Sequence, residues 1–534
     1  MARLVPGDTI YTQLFDTRLR LVEVLHGKHQ HDKAEGEANA LQLQLEKFFG
    51  KHSLEAAHLN FMGGCRLLDA ANYKAADTVM RDVSKVVSMC VGSKRAMHHP
   101  LLLSATAKIG EIGEQQGRFG ESDHIYLKTL DALAASHLDM HASLCVAQIR
   151  EGYSKLQLPQ GRPGAAMDLL LQGFGARREV PGLAPNALFT SYVKLALLEI
   201  SLGQLSEARD SLENLCGIQG HGHVELTKSQ EADVSYVQAM LALEVKEDLA
   251  YSEERMRQTL ALRQSFLPSH HPLVALTQLD LAGVMLEQHR IEETEVLLSQ
   301  VTSKLTVLYG KNSRHLARVK RLLARVYLQR GAYVDGETMV REALAIDASQ
   351  VFLEELLRSG LEKPVSVADK TPAVLEDLEL LARLSYLQGK VEHAQILVRK
   401  CEAMATEVYG SKRHPIIARC LVAFALIRLH AGHHVEAYRM LEQGLQLQES
   451  MLGGSHPHVI MTQLEMVEMQ HTVGDVPAAL ERCTRLRSTL LSLGSHTALQ
   501  VMGLGLWSNG TTSPISLPAV AVSASVAPHR LPHR

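Results

Sequence analysis

The stretches Gly203-Gln-Leu-Ser-Glu-Ala208, Gly389-Lys-Val-Glu-His-Ala394 and Gly432-His-His-Val-Glu-Ala437 each run from a glycine through four residues to an alanine. Searching outward from that glycine gives ten equivalent positions: Ala71, Gly117, Gly161, Gly203, Glu247, His289, Gly331, Gly389, Gly432 and Gly474. They are separated by 46, 44, 42, 44, 42, 42, 58, 43 and 42 residues, so the chain repeats with a period near 42 and one long interval. Five residues past every anchor stands a small residue, among them Ser122, Ala208, Thr294 and Ala437. Nine residues past stands a core type, from Met80 and Tyr126 to Leu441 and Cys483. Seven before lies another mostly small column, with Met240 and Val467 the poor fits. These columns predict a helix, a tight turn that needs φ > 0, and a second antiparallel helix packed closely on the first.

This order resembles the tetratricopeptide repeat across roughly residues 55 to 492, in the longer-helix form of kinesin light chains. His-Pro falls at one phase in four repeats, His99-Pro100, His271-Pro272, His414-Pro415 and His456-Pro457, where proline suits the first turn of a helix. The stretch Gln278-Leu-Asp-Leu-Ala282 lacks the paired asparagines with which kinesin light chains hold a peptide backbone. A shorter stretch, Phe266 to Ala317, is similar to the helical C-terminal domain of SET-and-MYND lysine methyltransferases. The resemblance implies an all-α, right-handed superhelical solenoid of about ten hairpins. Its expected divisions are an N-terminal helical cap (1–54), a first sub-array (55–348), a seam loop (349–372), a second sub-array (373–492) and a disordered Ser/Pro-rich tail (493–534).

Composition agrees with helices. The 534 residues are 46% hydrophobic but only 4% aromatic, a balance that favours packed helices over sheet. A net charge of −3 gives no global pull toward nucleic acid. Seven dispersed cysteines without a CxxC pair read as reduced thiols. No apolar run is long enough to enter a membrane, and a cytoplasmic chain is expected. Every Gly-Lys pair lacks the Ser or Thr of a phosphate loop, and neither GxSxG nor HExxH occurs. The histidine groups His26/His29/His31, His221/His223 and His433-His434 have no accompanying ligand spacing. We therefore expect no enzyme activity, cofactor or metal.

One helix stands out for binding. Arg314, Arg318, Arg321 and Arg325 recur along a single stripe of the repeat anchored at Gly331. In a tetratricopeptide hairpin the last three fall on the concave groove, where guanidinium groups accept carboxylates in bidentate fashion. Arg318, Arg321 and Arg325 are thus the expected peptide-binding residues of an interaction scaffold or adaptor, with proteins, peptides or acidic segments as partners. Glu376 and Glu379, on the next repeat, offer a competing inter-repeat ion-pair ladder. A relative of the SET-and-MYND methyltransferases and a component of a cytoskeletal or ciliary assembly are the alternative readings.

Overall fold

The computed structural model describes residues 9–27, 31–133, 140–180, 183, 188–220, 226–246, 248–357, 366, 369–410 and 413–493. Expectations for the tail, for His29, His221 and His223, and for Glu247 lie outside these residues. An N-terminal hairpin, Thr9–Gly27 and His31–Phe48, is followed by ten helical hairpins that stack into an all-α solenoid. Phe15, Leu41 and Leu45 of that first hairpin pack on Leu59 and Met62 of the next helix, which gives the array's open end an apolar cover. Within the long interval lies a short extra helix, Gln350–Leu357, and Asp369 returns there to bond the Ser349 amide at 2.6 Å.

The turns explain the anchors. Among the described residues, the only non-glycines with positive φ are Ala71, Lys246 and His289, and all three stand at hairpin turns. The same paired bonds recur at the turns; for example, the Asn72 amide donates to the Leu67 carbonyl and the Ala71 amide to the Leu68 carbonyl. This is the glycine-type helix stop, which leaves few carbonyls unsatisfied. The fifth turn corrects the sequence register. Its described left-handed residue is Lys246, and counted from there the small column contains the fully buried Ala239 in place of Met240.

A left-handed L-residue costs about 1 kcal/mol relative to glycine. Ala71→Gly is accordingly expected to raise stability by about 1 kcal/mol in a urea titration, because its φ of 57° is one that glycine adopts freely.

The small columns face one another. Ser122, five residues past its anchor, donates to the Gly110 carbonyl at 3.0 Å, and Ser252 donates to the Ala239 carbonyl at 2.8 Å. A serine is admitted to this interface because its buried hydroxyl, which would otherwise be unpaired, finds a helix carbonyl as acceptor.

The solenoid also touches itself at a distance. The turn of the fifth hairpin meets the start of the tenth, where His456 Nε2 lies 3.1 Å from the Glu244 carbonyl. Gly203, in the fourth turn, is so close to Pro415 of the ninth hairpin that a Cβ there would lie 2.6 Å from Pro415 Cδ. A Cβ on Gly161, in the third turn, would lie 1.8 Å from the Lys370 carbonyl at the entry to the eighth hairpin. In the second turn, Phe119 stacks under the guanidinium of Arg314, from the seventh hairpin, at 4.2 Å, and Gln115 accepts at 3.4 Å from Tyr309 at the end of the sixth. Asp69, beside the first turn, acts electrostatically on His271 of the sixth. One superhelical turn is therefore five hairpins, and the ten hairpins make two turns in contact.

Candidate functional site

The first helices of the hairpins line the interior of this double turn. Charges from opposite turns sense each other there: Glu244 of the fifth hairpin feels Arg419 of the ninth, and His315 of the seventh feels Lys155 of the third. The helix Arg314–Gln329 forms because Ser313 caps it, its side chain accepting from the Leu316 amide, and because Leu316, Val319, Leu322 and Val326 bury one face. The arginines occupy the remaining surface in three different settings.

Arg321 points into the joint between hairpins. Its side chain is only 10% exposed and donates to Asp347 at 2.5 Å and to Asp377 at 2.8 Å, with Glu376 at 3.6 Å. Burial pushes both aspartates up, and the guanidinium works against that shift. Arg318 and Arg325 are different, with side chains 44% and 40% exposed to the interior. Arg318 donates through one nitrogen to Asp280 at 2.5 Å, and Arg325 through one nitrogen to Glu287. A guanidinium carries five N–H donors, so each keeps donors facing the channel. Arg314 leaves the stripe altogether: besides stacking on Phe119 it donates to the Pro159 carbonyl at 3.3 Å, joining the two turns.

Glu376 meets Arg321 in an ion pair without a hydrogen bond, whereas Glu379 lies 3.7 Å from Arg419 and reaches Arg325 only through space. The strongest partners of the stripe are thus Asp280, Glu287, Asp347 and Asp377.

Two further arginines belong to the same interior. Arg383 stands six residues before its anchor, as Arg325 does, and Arg419 stands thirteen before, as Arg318 does. Comparing these columns between repeats would have found both from sequence. Burial, together with the like charges of Arg325 and Arg419, lowers the Arg383 guanidinium to about 10, against the pull of Glu379 and Glu287. A channel that depresses a guanidinium favours added negative charge. Among the described residues, no three His, Cys, Asp or Glu side chains are grouped to hold a metal ion, and no helix is long and apolar enough to cross a membrane.

The chain matches no protein-family profile. Two curated relatives, the clustered mitochondria protein homologs of Aedes aegypti and Culex quinquefasciatus, are each 27% identical over 184 residues, which is 34% of this chain and 12% of theirs. The matched region therefore spans about an eighth of those proteins' length. Among solved structures, the Rap protein complexed with Competence and Sporulation Factor superposes with a TM-score of 0.52 at 13% identity, covering 74% of this chain and 99% of that one. The kinesin light chain TPR-like repeats of Podosopora anserina align at 20% identity over 42% of this chain and 98% of theirs, with a TM-score of 0.30. The fold is that of the tetratricopeptide-like repeat proteins.

Proposed function

We propose that this tetratricopeptide-like solenoid is a non-enzymatic scaffold or adaptor that holds an extended acidic segment of a partner protein in the interior of its double turn. The observation that carries the reading is the row of partly exposed guanidinium groups, Arg318, Arg325 and Arg419, with side chains 44%, 40% and 33% exposed and each set against one carboxylate. Arg318 and Arg325 supply the contact, and Arg321, committed to Asp347 and Asp377, holds their helix in place. A carboxylate entering between Arg325, Arg383 and Arg419 relieves their mutual repulsion and gains charge-assisted hydrogen bonds. Repeat arrays of this kind present long continuous surfaces rather than one deep pocket, which suits a peptide better than a small metabolite. The Rap neighbour is complexed with Competence and Sporulation Factor, which is compatible with a fold of this kind serving as a binding surface.

The test uses two fluorescent twelve-residue peptides, one with Glu and one with Gln at alternate positions. The acidic peptide is expected to bind more tightly, with an affinity that falls as salt rises. The Arg318→Gln/Arg325→Gln variant should lose at least tenfold of that affinity while its melting temperature stays near wild type. Equal binding of both peptides, or unchanged binding by the folded variant, would remove the arginines from the site.

A further inference from the structure

We propose that this chain assembles with further copies of itself head to tail, the last hairpin of one copy receiving the N-terminal hairpin of the next so that the superhelix continues across the joint.

Inside the array a hairpin has two neighbours and shares apolar core with both. The ninth places Ile416, Ile417 and Cys420 in a cluster with the eighth, and Ala425 and Val422 in a cluster with the tenth. A hairpin at the end of an array lacks one neighbour, and an array that stays single needs a polar outer face there. Both ends of this one carry apolar stripes instead. The first helix, Thr9–Gly27, buries Phe15, Leu19 and Val22 but leaves Leu14, Leu21 and Val24 50%, 44% and 52% exposed. Those three are spaced by seven and three residues, which is one stripe of a helix. The last helix, Val476–Leu493, buries Ala479 and Leu486 but leaves Val476 and Leu480 55% and 66% exposed, with exposed Cys483 next on the same stripe. Single apolar residues on a surface need no cause, whereas a stripe on each terminal helix calls for a partner. The two stripes differ, so the joint is heterologous and leaves a free face at either end for the next copy.

The count of five hairpins per turn says what a following copy would meet. Hairpins placed after the tenth lie against the sixth to the tenth, as those lie against the first to the fifth. The edge that would receive them is open: among the described residues, a Cβ at Gly331, Gly389 or Gly432 meets no atom within 4 Å, whereas one at Gly161 or Gly203 is blocked by the second turn. Two or three residues past the open glycines, Val334, Val391 and Val435 are 67%, 39% and 70% exposed. Two residues past the blocked ones, Pro163 and Leu205 are buried. The fourth His-Pro pair fits the same continuation. Pro415 and His456 start hairpins that meet a turn five hairpins earlier, but His99-Pro100 starts the second hairpin, which has no hairpin five places before it in its own chain. It is built like the others, with Nδ1 accepting from the amide two residues on, at 3.3 Å in His99 and His414 and 3.1 Å in His456. With the N-terminal hairpin of the next copy in eleventh place, that copy's His99-Pro100 comes against the eighth turn, at Gly389.

Sedimentation velocity of the full chain from about 1 to 100 μM reads the assembly without any ligand. The weight-average mass is expected to climb past that of two chains at the upper end. Leu14→Glu/Leu21→Glu and Val476→Glu/Leu480→Glu each spoil one face at exposed positions, so the helical signal and melting temperature should hold while either variant alone stays a single chain. An equimolar mixture of the two retains one sound joint, the last hairpin of the first variant with the N-terminal hairpin of the second, and should form pairs and nothing larger. Val334→Glu/Val435→Glu, on the open edge, should weaken association at least tenfold, and it decides alone if a terminal variant does not fold. A wild-type chain that stays single throughout would overturn the proposal and leave the stripes to another protein or to residues 494–534. A terminal variant that associates as the wild type does would overturn it in favour of a symmetric pairing of like ends. So would a mixture that stays single, or undiminished association of Val334→Glu/Val435→Glu.

Discussion

Arg321→Ala is expected to lower the stability of the array by about 3–5 kcal/mol, the amount typically lost when one partner of a buried ion pair is removed. Asp347 and Asp377 have side chains 1% and 0% exposed, so without the guanidinium two carboxyl groups remain buried with no cation bonded to them. Arg318→Ala and Arg325→Ala remove half-exposed groups and leave their carboxylates a second partner, Tyr236 for Asp280 and Lys246 for Glu287, so each should cost less, about 1–2 kcal/mol. Urea titrations of the three variants check the ranking. A loss at Arg321 no larger than at Arg318 would mean that the acidic pair is solvated. Arg321→Met combined with Asp347→Asn and Asp377→Asn should recover much of the loss, since it removes the cation and both buried carboxylates together.

Gly110→Ala should cost about 2–3 kcal/mol, although it adds one methyl group to a helix. Its Cβ would lie 2.2 Å from Cζ and 2.5 Å from the hydroxyl of Tyr126. That ring cannot retreat: it is 1% exposed, packs 5.4 Å from the Tyr153 ring, and donates to the Ala107 carbonyl at 3.3 Å. The control is Gly217→Ala, on a helix with nothing within 4 Å, which should gain stability through helix propensity. Adding Tyr126→Leu to Gly110→Ala should restore most of the loss, a coupling that a double-mutant cycle in thermal denaturation reads directly. Strict additivity would show that the two columns do not meet.

The hairpins were legible because their cause is local and repeated. A left-handed turn residue, a small residue five on and a core residue nine on recur wherever two helices must pack closely, and one sequence carries ten copies of that constraint. The fifth repeat misled by one position because its turn holds an extra residue, so Glu247 shared the phase of the second helix while Lys246 took the left-handed conformation. The arginine stripe was equally plain as a periodicity. Its division into one joint residue and two channel residues was not, because Asp280, Glu287, Asp347 and Asp377 come from three other segments and only the stacking sets their distances. Contacts such as His456 to Glu244 could not be read at all. Nothing in a 42-residue period states how many hairpins complete a superhelical turn.

That number has a consequence for how the chain folds. In a repeat array whose units touch only their neighbours, structure can start anywhere, and one end can melt while the other persists. Here the long interval before the eighth hairpin is absorbed by the side helix Gln350–Leu357, so the third turn still meets the eighth hairpin as the fifth meets the tenth. Ties spanning some two hundred residues raise the contact order and defer part of the stabilisation until both turns exist. Losing or gaining a whole hairpin would leave every neighbour interface whole yet set each later turn against the wrong partner. The number of repeats between tied hairpins is thereby fixed by topology, in a class of folds where repeat number is ordinarily free to drift.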